Sequence, residues 1–239
     1  MSERYNFISV PIEDVIMSAS AAFNSISDVE ISATPVLDYV LPTVFLRCTG
    51  FMEQKLRTIH WSLGNVTMGL RYRIMKGLSN FGEYSSYKDK NDFYKLLRGN
   101  KSGNVIYDNV VKLSDVEKRD MIDDIDKAMD SLLARSFLTE IKGKDYRSAK
   151  AFIGDLKADC FATDSLLKKD LEKNYAELYL QRNRLAHNLM AHQQDSVSLD
   201  NIANQLSLRC NYFTYFAILI LMDRVFQKMY EKRIATLEN

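Results

Sequence analysis

The 239-residue sequence predicts an all-α fold on three observations. Glycine (9) and proline (3) are scarce, which starves the turns a many-stranded fold needs. Apolar residues recur at three- and four-residue steps over long stretches, the period of a half-buried helix. The composition, 46% hydrophobic and 26% charged, supplies a core and a solvated surface in ordinary proportion. No internal repeat or low-complexity linker divides the chain, so residues 1–239 are read as a single helical domain.

Pro11 opens a first helix over residues 11–25, because proline is tolerated at a helix's first position. After a polar loop, Thr34-Pro35 starts a long helical stretch to about Leu63, carrying Leu46, Phe51, Leu56 and Ile59. Pro42 is expected to kink or interrupt its first turns. Met68, Leu70, Ile74 and Leu78 suit a further helix. Residues 80–109 are rich in Tyr, Gly, Asn and Lys, with a short helical piece over 91–97, and are expected to form an excursion from the core. Ser114-Asp-Val-Glu117 is a capping box, with each side chain reaching the other's backbone N–H. Its helix is expected to reach about Ile141, and another to span 146–160. Thr163 or Asp164 then caps a helix with Leu166, Leu167, Leu171, Tyr175, Leu178 and Tyr179, running towards residue 189. A polar loop over 192–198 leads to the last helix, 199–237.

The net charge of +1 gives no global electrostatic footprint, so nucleic-acid contact must rest on a local patch. Cys48, Cys160 and Cys210 are odd in number and lack a C-x-x-C pair, which reads as free thiols in a reducing compartment. The first residues carry no signal-peptide pattern. The longest apolar run, from Tyr212 to Met222, is short of the roughly 18–20 residues a bilayer requires. A cytoplasmic protein with no membrane partner is expected.

Gln181-Arg182-Asn183-Arg184-Leu185-Ala186-His187-Asn188 closes the penultimate predicted helix before a polar loop. On a continuous helix, Asn183 and His187 share a face, while Arg182 and His187 stand about 140° apart. Histidine titrates where proton transfer near neutral pH is useful, and arginine's planar fork binds phosphate oxygens while staying charged. An arginine, a polar neighbour and a histidine five positions on resembles the R-x4–6-H motif of the HEPN ribonucleases. The resemblance extends to the helical chain, the motif's place at a helix end, and the apolar helix that follows. It implies a HEPN-like bundle with the 80–109 excursion as an elaboration.

It further implies a metal-independent endoribonuclease with Arg182 and His187 catalytic and Asn183 supporting. RNA would be cleaved by 2′-OH attack, leaving 2′,3′-cyclic phosphate and 5′-OH ends. Two protomers would form a homodimer with a composite active site. No cofactor and no metal are implied. Such proteins serve as toxins with an antitoxin, as antiviral-defence effectors, or as non-catalytic modules that bind a nucleotide or partner protein. In one subgroup a tyrosine two residues past the histidine is modified by a partner enzyme; that position is Leu189 here.

A plainer reading stands beside this one: cations in a helix's last turn complement its dipole, and His187-Asn188 can simply end it. Other signals are weaker. Residues 71–101 interleave basic groups with Tyr72, Tyr84, Tyr87, Phe93 and Tyr94, as single-stranded RNA binders do, or else form a solvated face paired with the acidic helix 115–130. That acidic helix has no histidine or cysteine to make a metal site. Gly99-Asn-Lys-Ser-Gly103 lacks the glycine before the lysine that a phosphate loop needs. His187 and His192 are five apart, not the four of a helical zinc pair. His60 reads as a packed core histidine. Glu53 and Arg57 suit an i,i+4 salt bridge, or alternatively reach the active cleft.

Overall fold

The computed structural model describes residues 3–24, 33–66, 71–72, 84–99, 109–134, 144–156, 165–188 and 211–238. These form eight helices and, among the described residues, no strand: α1 (Glu3–Ser9), α2 (Ile12–Asn24), α3 (Ala33–Gly64), α4 (Tyr87–Arg98), α5 (Asp115–Ala134), α6 (Lys144–Asp155), α7 (Lys169–Asn188) and α8 (Tyr212–Glu238). The predicted all-α class is the observed one.

The bundle is organised around α8, which packs against α2, α3, α4, α5, α6 and α7. Its sequence explains this: Tyr215 to Met222 are all buried, as are Val225, Phe226, Met229 and Tyr230, so apolar groups cover every side. A helix apolar all round must be enclosed by others. The long partner α3 lays Phe45, Cys48, Met52, Leu56, Ile59 and Leu63 against the core. Burial pushes the Cys48 thiol up to about 12, so it behaves as a small apolar residue. None of the described helices is long and apolar enough to cross a membrane.

The capping box forms as expected. The Ser114 N–H donates to Glu117 Oε2 at 2.7 Å and the Glu117 N–H to Ser114 Oγ at 3.2 Å. The expected helix from residue 11 is α2, with a further short helix, α1, ahead of it. Two expectations are refined. Helix α3 runs through Pro42, so of the two expected effects the interruption does not occur. Residues 87–98, expected outside the core, form a helix of the core: Phe93, Tyr94 and Leu97 are buried, and Phe93 stacks on Phe226 with centroids 5.9 Å apart. Ser86 caps the start of α4, and Gly99, at φ 79, closes its end in the left-handed region that glycine tolerates. The buried Arg233 donates to the carbonyl of Leu97 (2.8 Å), which the end of α4 leaves open, and to that of Asn109 (3.0 Å) ahead of α5.

Acidic α5 finds its partners in Lys150 of α6, which binds Asp126 and Asp130, and in Lys232 of α8, which binds Glu117. The expected helix near 68–78 lies outside the described residues apart from Arg71 and Tyr72, which are helical. Thr163, Asp164, Leu189, His192, Cys160, Cys210 and the chain before Asn211 in the last predicted helix are also outside them.

Candidate functional site

A single continuous helix, α7, carries the whole Arg182-Asn183-x3-His187 segment and ends at Asn188. The backbone register assumed from the spacing therefore holds, with His187 in the last turn. The His187 side chain lies outside what the structure describes. Arg182 and Asn183 are both described and half-buried.

Arg182 points across the α3–α7 interface. Its Nη2 donates to both oxygens of Glu53, at 3.1 and 3.4 Å, and its Nη1 donates to Asn183 Oδ1 at 3.1 Å. The spacing argument placed Asn183 beside the imidazole; in the structure its carbonyl oxygen serves the neighbouring guanidinium. Glu53 turns its carboxylate to Arg182 and lines a small cleft, while Arg57 is exposed and is not part of that lining. The side chains of Arg182 and Glu53 are 23% and 12% exposed, so the pair is accessible without being freely solvated.

Arg182 and Glu53 form one wall of a small cleft of about 220 Å³, counted with the solvent at its mouth. Met52, Leu178 and Leu219 make its apolar sides, and Ser85, Lys90 and Tyr175 its polar end. Lys90 is buried and donates to the carbonyls of Tyr84 and of Ser85, the latter at 3.0 Å. Its ammonium also lies over the Tyr175 ring, 5.3 Å from the centroid and inside the roughly 6 Å reach of a cation–π contact. Burial pulls the Lys90 ammonium down to about 7, against the opposing pull of Glu53 and Asp89. Tyr175 donates to the Ser85 carbonyl at 2.8 Å, and burial holds its hydroxyl well above the usual tyrosine range.

The turn that presents Ser85 is fixed from several sides. Tyr84 takes a positive φ of 55, its hydroxyl bonds His60 Nδ1, and Lys90 grips its carbonyl. His60 is buried as expected, against Phe93 as well as Tyr84. The cleft thus gathers one carboxylate, one guanidinium and one buried amine among hydroxyl and carbonyl groups. Among the described residues no three metal-ligating side chains cluster.

Sequence reasoning missed Lys90, Tyr175 and Ser85. A signal for Lys90 existed: with Phe93, Tyr94 and Leu97 it falls at i, i+3, i+4 and i+7, on the stripe that packs inward. A lysine at a core register position is a group held for a reason. Tyr175 had been placed on the apolar face of its helix, and its hydroxyl carries the added role.

The fold and the cleft together define an all-helical protein with an arginine-lined, mixed-charge cleft among α3, α4, α7 and α8. Comparison with family models, with curated proteins and with solved structures finds no match to this chain.

Proposed function

We propose that the chain is a metal-independent endoribonuclease of HEPN type, with Arg182 binding the scissile phosphate, His187 moving protons and Asn183 orienting the guanidinium. The observation that carries this reading is Arg182 itself, fixed at a cleft by Glu53 and Asn183 and five residues before His187 on one helix. A guanidinium held by its two Nη groups is aimed before substrate arrives, and preorganised charge is what stabilises a developing phosphorane.

In the reaction, the 2′-oxygen bonds to the adjacent phosphorus and the bond to the 5′-oxygen breaks. The 2′-OH proton leaves to a base and the departing 5′-oxygen gains one, giving 2′,3′-cyclic phosphate and 5′-hydroxyl ends. Histidine is suited to either transfer near neutral pH. The cleft has room for about one water molecule, so it does not by itself enclose a nucleotide. A site completed by a second copy, in a homodimer whose two Arg/His sets share one cavity, meets that need. Toxin or antiviral-defence work in the cytoplasm, under an antitoxin or defence-system partner, is the biological setting this chemistry fits.

The test is cleavage of RNA by the purified protein in EDTA, with the new ends read by mass spectrometry. Wild type is expected to cut and to arrest growth on expression; His187→Ala and Arg182→Ala are expected to do neither. Intact RNA with unimpaired growth would overturn the proposal. One observation favours a second reading: Glu53 already neutralises Arg182. A non-catalytic module binding a nucleotide or partner protein would then show altered binding in Arg182→Ala and no cleavage in any form.

A further inference from the structure

The chain has one tryptophan, and it is not in the core: Trp61 is 52% exposed on α3. Leaving half of so large an apolar ring in water forgoes a substantial burial gain. The surrounding positions show that α3 had the alternative, since its neighbours Ile59, His60 and Leu63 are all buried. Instead the indole stands outward with the guanidinium of Arg71 over it, 5.8 Å from the ring centroid. Tyr72, beside that arginine, is 70% exposed. An exposed ring with a cation against it, and a second exposed ring next along the chain from that cation, therefore lie at the surface.

This cluster lies on the same helix as Glu53 of the cleft. The exposed face of α3 runs Arg47, Gly50, Gln54, Arg57 and Trp61 at three- and four-residue steps. Arg57 lies four residues from both Glu53 and Trp61, so these three share one stripe of the helix. From Glu53, the partner of Arg182, to Trp61 is eight residues, or about 12 Å along the axis. Glu53 and Asp38 are the only acids in the whole α3 sequence, and Glu53 is turned into the cleft. The exposed positions of α3 from Arg47 to Trp61 thus include two arginines and no acid, and end at a half-exposed ring with Arg71 against it.

We propose that this face of α3 is a track for single-stranded RNA leading to the cleft, with Arg57 contacting the backbone and Trp61, assisted by Arg71 and Tyr72, stacking a base beside the cleavage point. Backbone-tracking cations interleaved with exposed rings are the chemistry by which unpaired strands are held, since every base offers a π-face. The identity of the strand as a substrate rests on the nuclease reading; the stacking platform does not.

Because Trp61 is the sole tryptophan, its fluorescence reports on the platform directly. The probe is a short 2′-O-methyl oligouridylate, which has no 2′-OH to attack, titrated into the full-length protein with heparin as a polyanion without bases. The oligonucleotide is expected to quench Trp61 and heparin to leave it largely unchanged. By anisotropy of the labelled oligonucleotide, Trp61→Ala is expected to bind roughly five- to a hundredfold more weakly. Trp61→Phe keeps a stacking ring and is expected to retain most of the affinity, which separates loss of the platform from loss of fold. Arg57→Gln is expected to lower the salt slope by about 0.7.

Equal binding of the oligonucleotide by wild type and Trp61→Ala would overturn the platform and leave only diffuse charge. Emission that shifts with protein concentration and not with oligonucleotide would make this face a contact between copies, and would equally overturn it. RNA cleavage in EDTA without quenching sinks the track and spares the nuclease. Quenching without cleavage of ordinary RNA does the reverse.

Discussion

Two ion pairs leave α3 in different directions and meet different fates. Glu53 reaches α7 to bind Arg182, and Lys55, two positions and about 200° further round, reaches α8 to bind Asp223 at 2.6 Å. Both side chains of the second pair are wholly buried. Asp223 is saturated there: it also accepts the Ile12 N–H at 3.0 Å and the Gln227 amide at 3.3 Å, while Lys55 donates to the Val10 carbonyl. Burial pushes the Asp223 carboxyl up and the Lys55 ammonium down, and each charge opposes that for the other. The pair pins the α1–α2 junction to the central helix and has no opening to solvent. The Glu53–Arg182 pair has fewer bonds, a cleft beside it and partial exposure. Saturation and burial make an anchor; incomplete satisfaction at a cleft leaves a group that a ligand can recruit.

The largest effect expected from this contrast is at Lys55. Lys55→Met strands the Asp223 carboxylate in the core, and breaking a buried pair from one side costs about 3–5 kcal/mol. Urea unfolding is expected to show a correspondingly lower midpoint. The double variant Lys55→Met, Asp223→Leu leaves no stranded charge and is expected to recover part of the loss, though Ile12 and Gln227 lose their acceptor. A Lys55→Met protein as stable as wild type would break the distinction between the two pairs.

Much of this contrast was written in the sequence and part of it was not. The helices were legible because their signals are local: the apolar period, the capping box at Ser114, and the apolar run that becomes α8. Lys55 sits at an inward position of the Met52, Leu56, Ile59 stripe, and Asp223 directly follows the run that ends at Met222, so both broke the pattern visibly. Which charge each would meet was not legible, because Lys55 and Asp223 are 168 residues apart and no spacing rule spans that distance. Arg182 and Asn183 were found from motif chemistry, whereas Arg182's partner Glu53 lies 129 residues away. The local i,i+4 pairing with Arg57 competed with it on paper, and tertiary packing decided. Residues 87–98 misled because a polar composition hid a stripe of only a few apolar groups facing inward.

A third polar group on the same helix sharpens the comparison: His60 is buried, and its described hydrogen-bond partner is the Tyr84 hydroxyl. Burial pulls the His60 imidazole from 6.5 down to about 4. As pH falls, the unfolded chain therefore takes up a proton before the folded one does. The associated stability is whole above pH 6.5 and is lost as pH drops from there to about 4, on the order of 3 kcal/mol in all. In His60→Gln the fall in stability across that window is expected to be shallower than in wild type, as read from urea midpoints at its two ends. Identical acid slopes would mean that His60 charges within the fold and that its pocket is wetter than its burial indicates.

The smallest stability effect is expected at the cleft, where the functional effect should be largest. Exposed or partly exposed ion pairs contribute about 0–1 kcal/mol, so Arg182→Ala and Glu53→Gln are each expected to move the urea midpoint little. Arg182→Ala is expected to abolish cleavage all the same. Glu53→Gln keeps an acceptor for Nη2 but removes the counter-charge, so the guanidinium becomes a better phosphate ligand. Affinity for the 2′-O-methyl oligonucleotide is then expected to rise and its salt dependence to steepen, while turnover falls if release of the cut strand slows. Should Glu53→Gln instead destabilise the fold as far as Lys55→Met does, both pairs are anchors. Arg182 would then be a bracket between α3 and α7, and its charge would be spent before any phosphate arrived.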